Sequence, residues 1–361
     1  MLSRLDRLID NPRLHARAAR TPILRRFVRR EGDAIFDLVA GFAKTQVTLA
    51  LIESGLLGHL SVGWKDAADA ARLSDLPEAE ARLLLRAAVA CGLVRMRGAR
   101  FALSRRGRIL AAVPGLADMI RHDAILYRDL ADPVAFLRGE TEPELARFWP
   151  YVFGGGAGAQ DAARYSPLMA DTQGPVAEQT LDRADLSGVR CLMDVGGGTG
   201  TFLRHAARAL PDARLMLFDL PEVLDAARAG LAELDGRLTL HPGSFRDGAL
   251  PEGADAISLV RVLYDHDDAT VKGLLAAAFA ALPPGGRLVV SEPMTGGAAP
   301  TVAGDVYFAL YCRAMKTGRA RAPDEIAGML RQAGFAQVRC PAMHQPHITS
   351  VVEGRKPVVT P

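Results

Sequence analysis

Seven residues, Asp194-Val195-Gly196-Gly197-Gly198-Thr199-Gly200, separate an apolar run from an amphipathic one. The run before them, VRCLMDV (189–195), reads as a strand, and TFLRHAARAL (201–210) reads as a helix. A glycine turn at such a junction lets a ligand approach the bare backbone. The free N–H groups of the helix that follows favour a carboxylate or phosphate. Asp219 closes the next strand, RLMLFDL (214–220), 19 residues after Gly200. An acid at that place accepts hydrogen bonds from both hydroxyls of a ribose. Loop and acid together predict a ribosylated ligand at the C-terminal edge of a parallel sheet.

Two common ligands do not fit the spacing. The dinucleotide fingerprint GxGxxG/A fails, because the run from Gly198 is GTGTFL and ends on Leu203, and the run from Gly196 ends on Thr201. No GxxxxGK[ST] occurs, which excludes a P-loop.

The elements that must hold this loop follow in order. RLTLHPGSF (237–245) reads as a third strand, and ADAISLVRVLYDH (254–266) as a fourth, followed by a helix through 281. Pro283–Gly286 is a turn, and RLVVSEP (287–293) is a fifth strand. Strands alternating with helices predict βαβ units and a mainly parallel, Rossmann-like α/β sheet.

The N-terminal half has another texture. Residues 33–60 keep apolar residues on a helical period with glycine breaks, a segment expected to be buried in its own core or against a second subunit. DAADAARL (66–73) is a short helix, and Ser74 is expected to N-cap the next, EAEARLLLRAAVACGLV (78–94), with Gly92 at its C-terminal end. VRMRGARFALSRRGRIL (94–110) reads as two short strands around Gly98 and a further helix. This order is that of a winged helix. A DNA reader would have a polar, basic second helix, but this one holds only Arg82 and Arg86 among many Ala and Leu. A scaffold or dimerisation role is therefore expected, without nucleic acid. GGGAG (154–158) is expected to be a hinge or a plain surface loop.

Composition sets wider bounds. The 361 residues exceed the usual size of one domain. Hydrophobic residues make up 49% and charged ones 24%, an ordinary globular balance. The net charge of +3, from 44 basic and 41 acidic residues, does not suggest a dedicated nucleic-acid binder. Residues 1–30 are nonetheless rich in arginine, with Arg4, Arg7, Arg13, Arg17, Arg20, Arg25, Arg26, Arg29 and Arg30 against Asp6 and Asp10. Leu2, Leu5, Leu8 and Ile9 line one face of a first helix, and Ile23, Leu24, Phe27 and Val28 do the same after Pro22, the pattern of helices lying on an anionic membrane surface. An arm paired with a partner subunit fits the same pattern. Cys91, Cys191, Cys312 and Cys340 form no CxxC pair, so no zinc site, other metal site or disulfide framework is expected. The thiols, the absence of an apolar run of about 20 residues and the lack of a secretory h-region lead to an expectation of a cytoplasmic enzyme.

DVGGGTG (194–200) resembles motif I of class I S-adenosylmethionine (SAM)-dependent methyltransferases. The winged-helix-like half, FDLP (218–221), LVRVLYDHDD (259–268) and LPPGGRLVVSEP (282–293) resemble one group, the O-methyltransferases of caffeate, hydroxyindole and bacterial polyketides. That resemblance implies a Rossmann-like SAM domain preceded by a helical dimerisation domain, SAM as cofactor and a homodimer. FDLVAGF (36–42), RVLYDHDD and the arginine-rich start are most similar to members that methylate a tertiary hydroxyl of an acyclic carotenoid. The segments implied are 1–113 for dimerisation, 114–180 as a helical connector with substrate-pocket residues, and 181–361 for SAM binding. A phenolic, polyketide or tetrapyrrole acceptor is the alternative within the family. A hydroxylation or decarboxylation on the same scaffold, or a non-catalytic ligand-binding regulator, stands outside it.

Carried onto this chain, the resemblance implies that Asp194, Gly196, Gly198 and Gly200 line the cofactor loop. Asp219 takes the ribose, and Leu220 lies beside the adenine. Ser244 and Phe245 fall where the family often has Asp and an apolar residue, so Ser replaces the acceptor of the adenine amine. Arg261 is a basic position on the cofactor side, and Tyr165 and Met169 correspond to residues that cover SAM. Met315 and Tyr311 fall in the substrate-pocket segment, 305–317. The catalytic candidates are Tyr264, Asp265, His266 and Glu292. Plant members read HDW where this chain reads Tyr264-Asp265-His266, so tyrosine stands in place of the catalytic histidine. Glu292 matches one carboxylate that orients that histidine, and Ala320 stands where the second would be. A phenol near pKa 10 can be deprotonated by histidine, but a tertiary alcohol cannot. The departure therefore implies attack by a neutral hydroxyl, with catalysis resting chiefly on alignment.

Overall fold

The computed structural model describes residues 21–148, 172–234 and 236–358. The chain divides into two compact units, residues 1–120 and 121–361. Tyr165, Met169, the GGGAG segment and the first twenty residues of the arginine-rich arm lie outside the described residues.

In the first unit the helices are α1 (Pro22–Val39), α2 (Gly41–Glu53), α3 (Leu56–Ser61), α4 (Ala67–Ser74) and α5 (Glu78–Ala90). The antiparallel hairpin β1 (Val94–Arg97) and β2 (Arg100–Leu103) and helix α6 (Arg105–Ala112) follow. The helix pair and hairpin are present in the predicted order, but one cap is corrected. Ser74 ends α4 instead of opening α5, its hydroxyl donating to the Ala70 carbonyl at 2.7 Å, and Pro77 precedes the first turn of α5. The working cap lies earlier, where Asp66 and Asp69 form a reciprocal capping box.

Leu51, Leu56, Leu60, Leu85, Phe101 and Leu103 make the core of this unit. The 33–60 segment is thus buried in its second half only. Its first half leaves Ile35, Phe36, Leu38 and Val39 exposed, Leu38 at 83%. Among the described residues no single helix is long and apolar enough to cross a membrane. The pair formed by Leu24–Val39 and Gly41–Glu53, bent by 54°, has the length and composition together.

The second unit carries α7 (Leu116–Asp129, partly in the first unit), α8 (Pro133–Arg138), α9 (Glu144–Phe148) and a helical stretch over 172–183. Then come β3 (Cys191–Val195), α10 (Thr201–Ala209), β4 (Arg214–Asp219), α11 (Pro221–Arg228), β5 (Leu238–Pro242), β6 (Ala256–Val260), α12 (Asp268–Ala281) and β7 (Arg287–Glu292). A π-helix (Val302–Phe308) runs into α13 (Ala309–Met315), and α14 (Pro323–Gln332), β8 (Ala336–Arg339) and β9 (Ser350–Arg355) end the fold.

The seven-stranded sheet has the order β5-β4-β3-β6-β7-β9-β8, parallel from β5 to β7 and antiparallel at β9 and β8. Central strands β3 and β6 are buried along their whole length, which is why both read as unbroken apolar runs. One face packs Leu274, Leu275, Ile326 and Leu330; the other packs Val176, Phe202, Leu203 and Leu231. The order reverses between β3 and β6. A parallel sheet opens its ligand crevice at such a point, beyond the C-terminal strand ends.

Candidate active site

The glycine loop leaves β3 at that crevice. Gly196, Gly198 and Gly200 take φ of 69°, 58° and 74°, a left-handed region that a side chain would strain. A Cβ on Gly200 would meet Leu231 at 2.6 Å, whereas one on Gly198 would meet nothing, so the backbone there faces open space. Gly197 had no assigned role, yet a Cβ there would overlap the Asp194 carboxylate and Leu217. The glycines thus divide the work: Gly197 and Gly200 let the loop close onto the sheet and onto Leu231, and Gly198 leaves its side of the loop open.

Asp219 accepts from the Gly198 amide at 2.8 Å through Oδ2 and from the Leu220 amide at 2.7 Å through Oδ1. Leu220 precedes the first turn of α11, where Pro221 takes the position that needs no N–H donor. Burial pushes the Asp219 carboxyl up to about 6, offset in part by these two amides. Asp194 is fully buried. Its Oδ1 accepts from the Ser258 hydroxyl at 2.6 Å, and its Oδ2 has no partner. Desolvation raises it to about 7. A buried carboxylate oxygen without a donor calls for a ligand donor or cation.

Ser244 caps a short 3₁₀ turn, Phe245–Asp247, and its hydroxyl accepts from the Arg246 amide at 3.2 Å. Phe245 meets the His266 ring edge-on, with centroids 5.1 Å apart. Arg246 lies 3.2 Å from Nδ1 of His266. Burial and the neighbouring Arg246 cation lower His266 to about 4. The His266 ring is therefore neutral and belongs to the Phe245 side of the crevice.

The fourth strand ends at Val260, earlier than its apolar pattern suggests. Arg261 turns the chain with φ of 60°, unusual for a residue with a side chain, and its amide donates to the Ser291 carbonyl at 2.7 Å. Its guanidinium donates to Thr172 Oγ1 at 3.0 Å and lies beside the Tyr264 phenol. Burial and the Asp265 carboxylate push the Tyr264 phenol up, beyond use as a base near neutral pH. Asp265 Oδ1 is buried with no hydrogen-bond partner. Desolvation first, then Glu292, pushes Asp265 well above the usual carboxylate range, and Arg261 offsets part of this.

Glu292 contacts the loop through its backbone, not through an imidazole. Its Oε2 accepts from the Leu263 amide at 2.9 Å and the Tyr264 amide at 3.2 Å. Desolvation raises it to about 7 despite the cation of Arg321. Arg321 is fully buried and donates to the carbonyls of Leu263 and His266, each at 2.8 Å, and to Asp268 at 2.7 Å. Gly318 presses on the same loop, where a Cβ would overlap the backbone from Tyr264 to His266. Ala320, beside Arg321, packs with Tyr264, Cys312 and Phe308.

Beyond the loop, the π-helix sets Tyr307 and Phe308 ahead of Tyr311. Tyr307 donates to Asp123 at 2.7 Å, and Tyr311 shares a hydrogen bond of 2.8 Å with His122. Both partners lie on α7, and burial raises Asp123 to about 6 and lowers His122 to about 4. Met315 packs beneath, against Leu126 and Phe136.

Sequence reasoning assigned no role to Arg321, Asp268, Gly318, His122, Asp123 or Tyr307. The polar pair His122-Asp123 within the apolar helix MIRHDAIL was the one visible signal. Among the described residues no group of three or more His, Cys, Asp or Glu could hold a metal ion.

Comparison with known proteins places this arrangement. Residues 127–336 match the family model described as an O-methyltransferase domain. Demethylspheroidene O-methyltransferase from Rhodobacter capsulatus is 51% identical over 97% of this chain and 88% of its own length. The protein of that name from Cereibacter sphaeroides is 52% identical over 100% of this chain and 97% of its own. Among solved structures, the calicheamicin methyltransferase CalO1 with S-adenosylhomocysteine (SAH) bound superimposes at a TM-score of 0.77, with 23% identity over 91% of this chain and 98% of its own. Human N-acetylserotonin methyltransferase in complex with SAM does so at 0.74, with 22% identity over the same shares.

Proposed function

The chain belongs to the O-methyltransferase family, and from that premise we propose that it methylates a tertiary hydroxyl of an acyclic carotenoid of the demethylspheroidene type, with SAM as methyl donor. The observation that carries this reading is identity of about half the residues, over the full chain, with two demethylspheroidene O-methyltransferases.

The site suits that cofactor. Asp219 takes both ribose hydroxyls, its carboxylate already held by the Gly198 and Leu220 amides. The bare peptide at Gly198 and the unpartnered Oδ2 of Asp194 suit an amino-acid end bearing an ammonium group. Leu220 and Phe245 flank the adenine. Ser244 already accepts from a backbone amide, so the adenine amine gains less here than from the aspartate common in the family. When bound, SAM supplies an electrophilic methyl group on a sulfonium. The chain supplies position: Arg321 and Glu292 fix the loop that carries Tyr264 and Asp265, and Arg261 lies beside the Tyr264 phenol. With tyrosine replacing the histidine and its phenol held protonated, the acceptor hydroxyl attacks neutral, and rate depends on its alignment with methyl and sulfur. Incubation with methyl-labelled SAM is expected to label demethylspheroidene and leave a panel of phenols unlabelled. Label on the phenols alone would refute the carotenoid assignment.

The same reading includes a homodimer and a peripheral membrane contact on the cytoplasmic side. Leu24, Phe27, Ile35, Leu38 and Val39 make an exposed apolar stripe on α1, a surface that suits a second copy of the chain. Arg25, Arg26, Arg29 and Arg30 occupy the rest of that helix and suit anionic lipid, where a carotenoid resides. Light scattering at micromolar concentration is expected to give twice the mass of 38.6 kDa. Flotation with anionic vesicles is expected to capture the dimer at low salt and to lose it as salt rises. A monomer overturns the first expectation, and salt-insensitive or absent binding overturns the second.

A further inference from the structure

We propose that Asp265 is the catalytic residue that receives the proton of the acceptor hydroxyl, one position after the tyrosine that replaces the family's histidine. The inference rests on the O-methyltransferase reading and assigns the step which that reading leaves open. Methylation of a neutral alcohol releases a proton, and a buried site must place it somewhere.

Elimination among the ionisable groups of the site leaves one candidate. Burial and the Asp265 carboxylate hold the Tyr264 phenol in its protonated form, beside the Arg261 cation. His266 turns its Nδ1 to Arg246 and its ring to Phe245. Tyr307 and Tyr311 are engaged by Asp123 and His122. Glu292 also keeps one oxygen, Oε1, without a partner, but the whole residue is buried beneath the loop and its other oxygen is held by two backbone amides. Asp265 combines an unpartnered Oδ1 with a residue that is partly exposed, and its loop adjoins the cofactor loop. That adjacency is direct, because a Cβ on Gly196 would meet Val262 at 3.0 Å.

The step balances. A lone pair of the acceptor oxygen forms the new C–O bond as the C–S bond breaks with its electrons going to sulfur. The hydroxyl proton passes to Oδ1 of Asp265, giving a methyl ether, a neutral thioether and a carboxylic acid. Charge explains why an aspartate can serve. The groups facing Asp265 are Arg261 and Tyr264 on its own loop, Glu292 on β7 and Cys312 on α13. In these surroundings alone the acid form is favoured. A bound sulfonium within reach of Asp265 would stabilise the carboxylate. Methyl transfer removes that cation, so the proton affinity of Asp265 rises as the proton is released.

Titration calorimetry of SAM binding at pH 8, run in buffers of different ionisation enthalpy, reads this linkage without turnover. Any proton that Asp194, Asp219 or Glu292 exchanges on binding is common to wild type and variant and cancels in the difference. Wild type is expected to release up to about one proton more than Asp265→Asn, and the variant to bind SAM up to roughly tenfold more weakly, because a proton expelled on binding is matched by a gain in affinity. Turnover of demethylspheroidene by Asp265→Asn is expected to fall roughly 100-fold or more, within the range for loss of a general base. Asp265→Glu, which keeps a carboxylate, is expected to retain the proton release and part of the rate, and it carries the test should the asparagine variant misfold. Equal proton release by wild type and Asp265→Asn, or an Asp265→Glu variant that releases no more than Asp265→Asn, overturns the linkage. A rate for Asp265→Asn within threefold of wild type overturns the catalytic assignment. If wild type leaves the carotenoid unmethylated while the proton difference stands, the substrate reading fails and the link between Asp265 and the cofactor survives.

Discussion

Arg321→Ala is expected to destabilise the second unit by about 3–5 kcal/mol, the range for removing one member of a buried charged network. The guanidinium has no solvent exposure, so nothing outside the protein can replace it. Its loss strands the His266 carbonyl, costing about 1–3 kcal/mol if left buried and unpaired, and leaves the Leu263 carbonyl with only the His266 amide at 3.1 Å. The share from Asp268 is smaller, because that side chain is 46% exposed and water can solvate it. For a unit of this size the loss corresponds to a melting point lower by roughly 6–20 °C. Arg321→Lys should recover only a minor part, since an ammonium cannot span two carbonyls and a carboxylate with a planar fork. Calorimetric or circular-dichroism melting checks this. A drop of less than 2 °C would mean that Glu292 and Gly318 hold the 261–268 loop without Arg321.

Asp219→Ala is expected to weaken SAM binding by roughly 10- to 150-fold, the equivalent of about 1.5–3 kcal/mol for hydrogen bonds to a charged acceptor. Two effects contribute. The ribose hydroxyls lose their carboxylate, and the amides of Gly198 and Leu220 lose the partner that sets the glycine loop. A pH series separates this carboxylate from the rest of the site. Burial raises Asp219 to about 6, so protonation removes the charged acceptor as pH falls through that value. Wild-type affinity should therefore decline below about pH 6, by up to tenfold per pH unit for this group. Asp194, raised to about 7, adds a decline that begins higher. The alanine variant should keep only the part due to Asp194. Calorimetry that finds unchanged affinity in the variant would remove Asp219 from the cofactor site.

The N-terminal half shows how far local patterns reach. The hairpin around Gly98 and the helix ending at Gly92 were legible because turns and caps depend on neighbours along the chain. The Ser74 cap was misplaced because serine can bond backward into the preceding turn as readily as forward into the next helix. Of residues 33–60, the second half is buried in the core of its own unit, and the first half is the part left to the alternative of a second subunit. Helical periodicity marks an apolar face but does not say what covers it, and α1 leaves that face exposed.

By itself the sequence determined the parallel sheet, the glycine loop at its switch point and the acid at the end of β4. Each is written in short-range spacing: an apolar run for a buried strand, glycine where φ is positive, and aspartate one strand further on. The antiparallel strands β8 and β9 escaped that reading. AQVR is short and half exposed, and SVVEGR places a buried glutamate and glycine where an apolar run would be sought. Tertiary structure alone decided what the Tyr264-Asp265-His266 segment does. His266 is turned to Phe245 and Arg246, Tyr264 lies beside Arg261, and Asp265 keeps an unpartnered oxygen, although the three are adjacent in sequence. Their environments come from the turn after β5, β7, α13 and the loop before α14, up to 55 residues away along the chain between His266 and Arg321. Desolvation and hydrogen bonding depend on what surrounds a group in space, and no spacing within one segment encodes that.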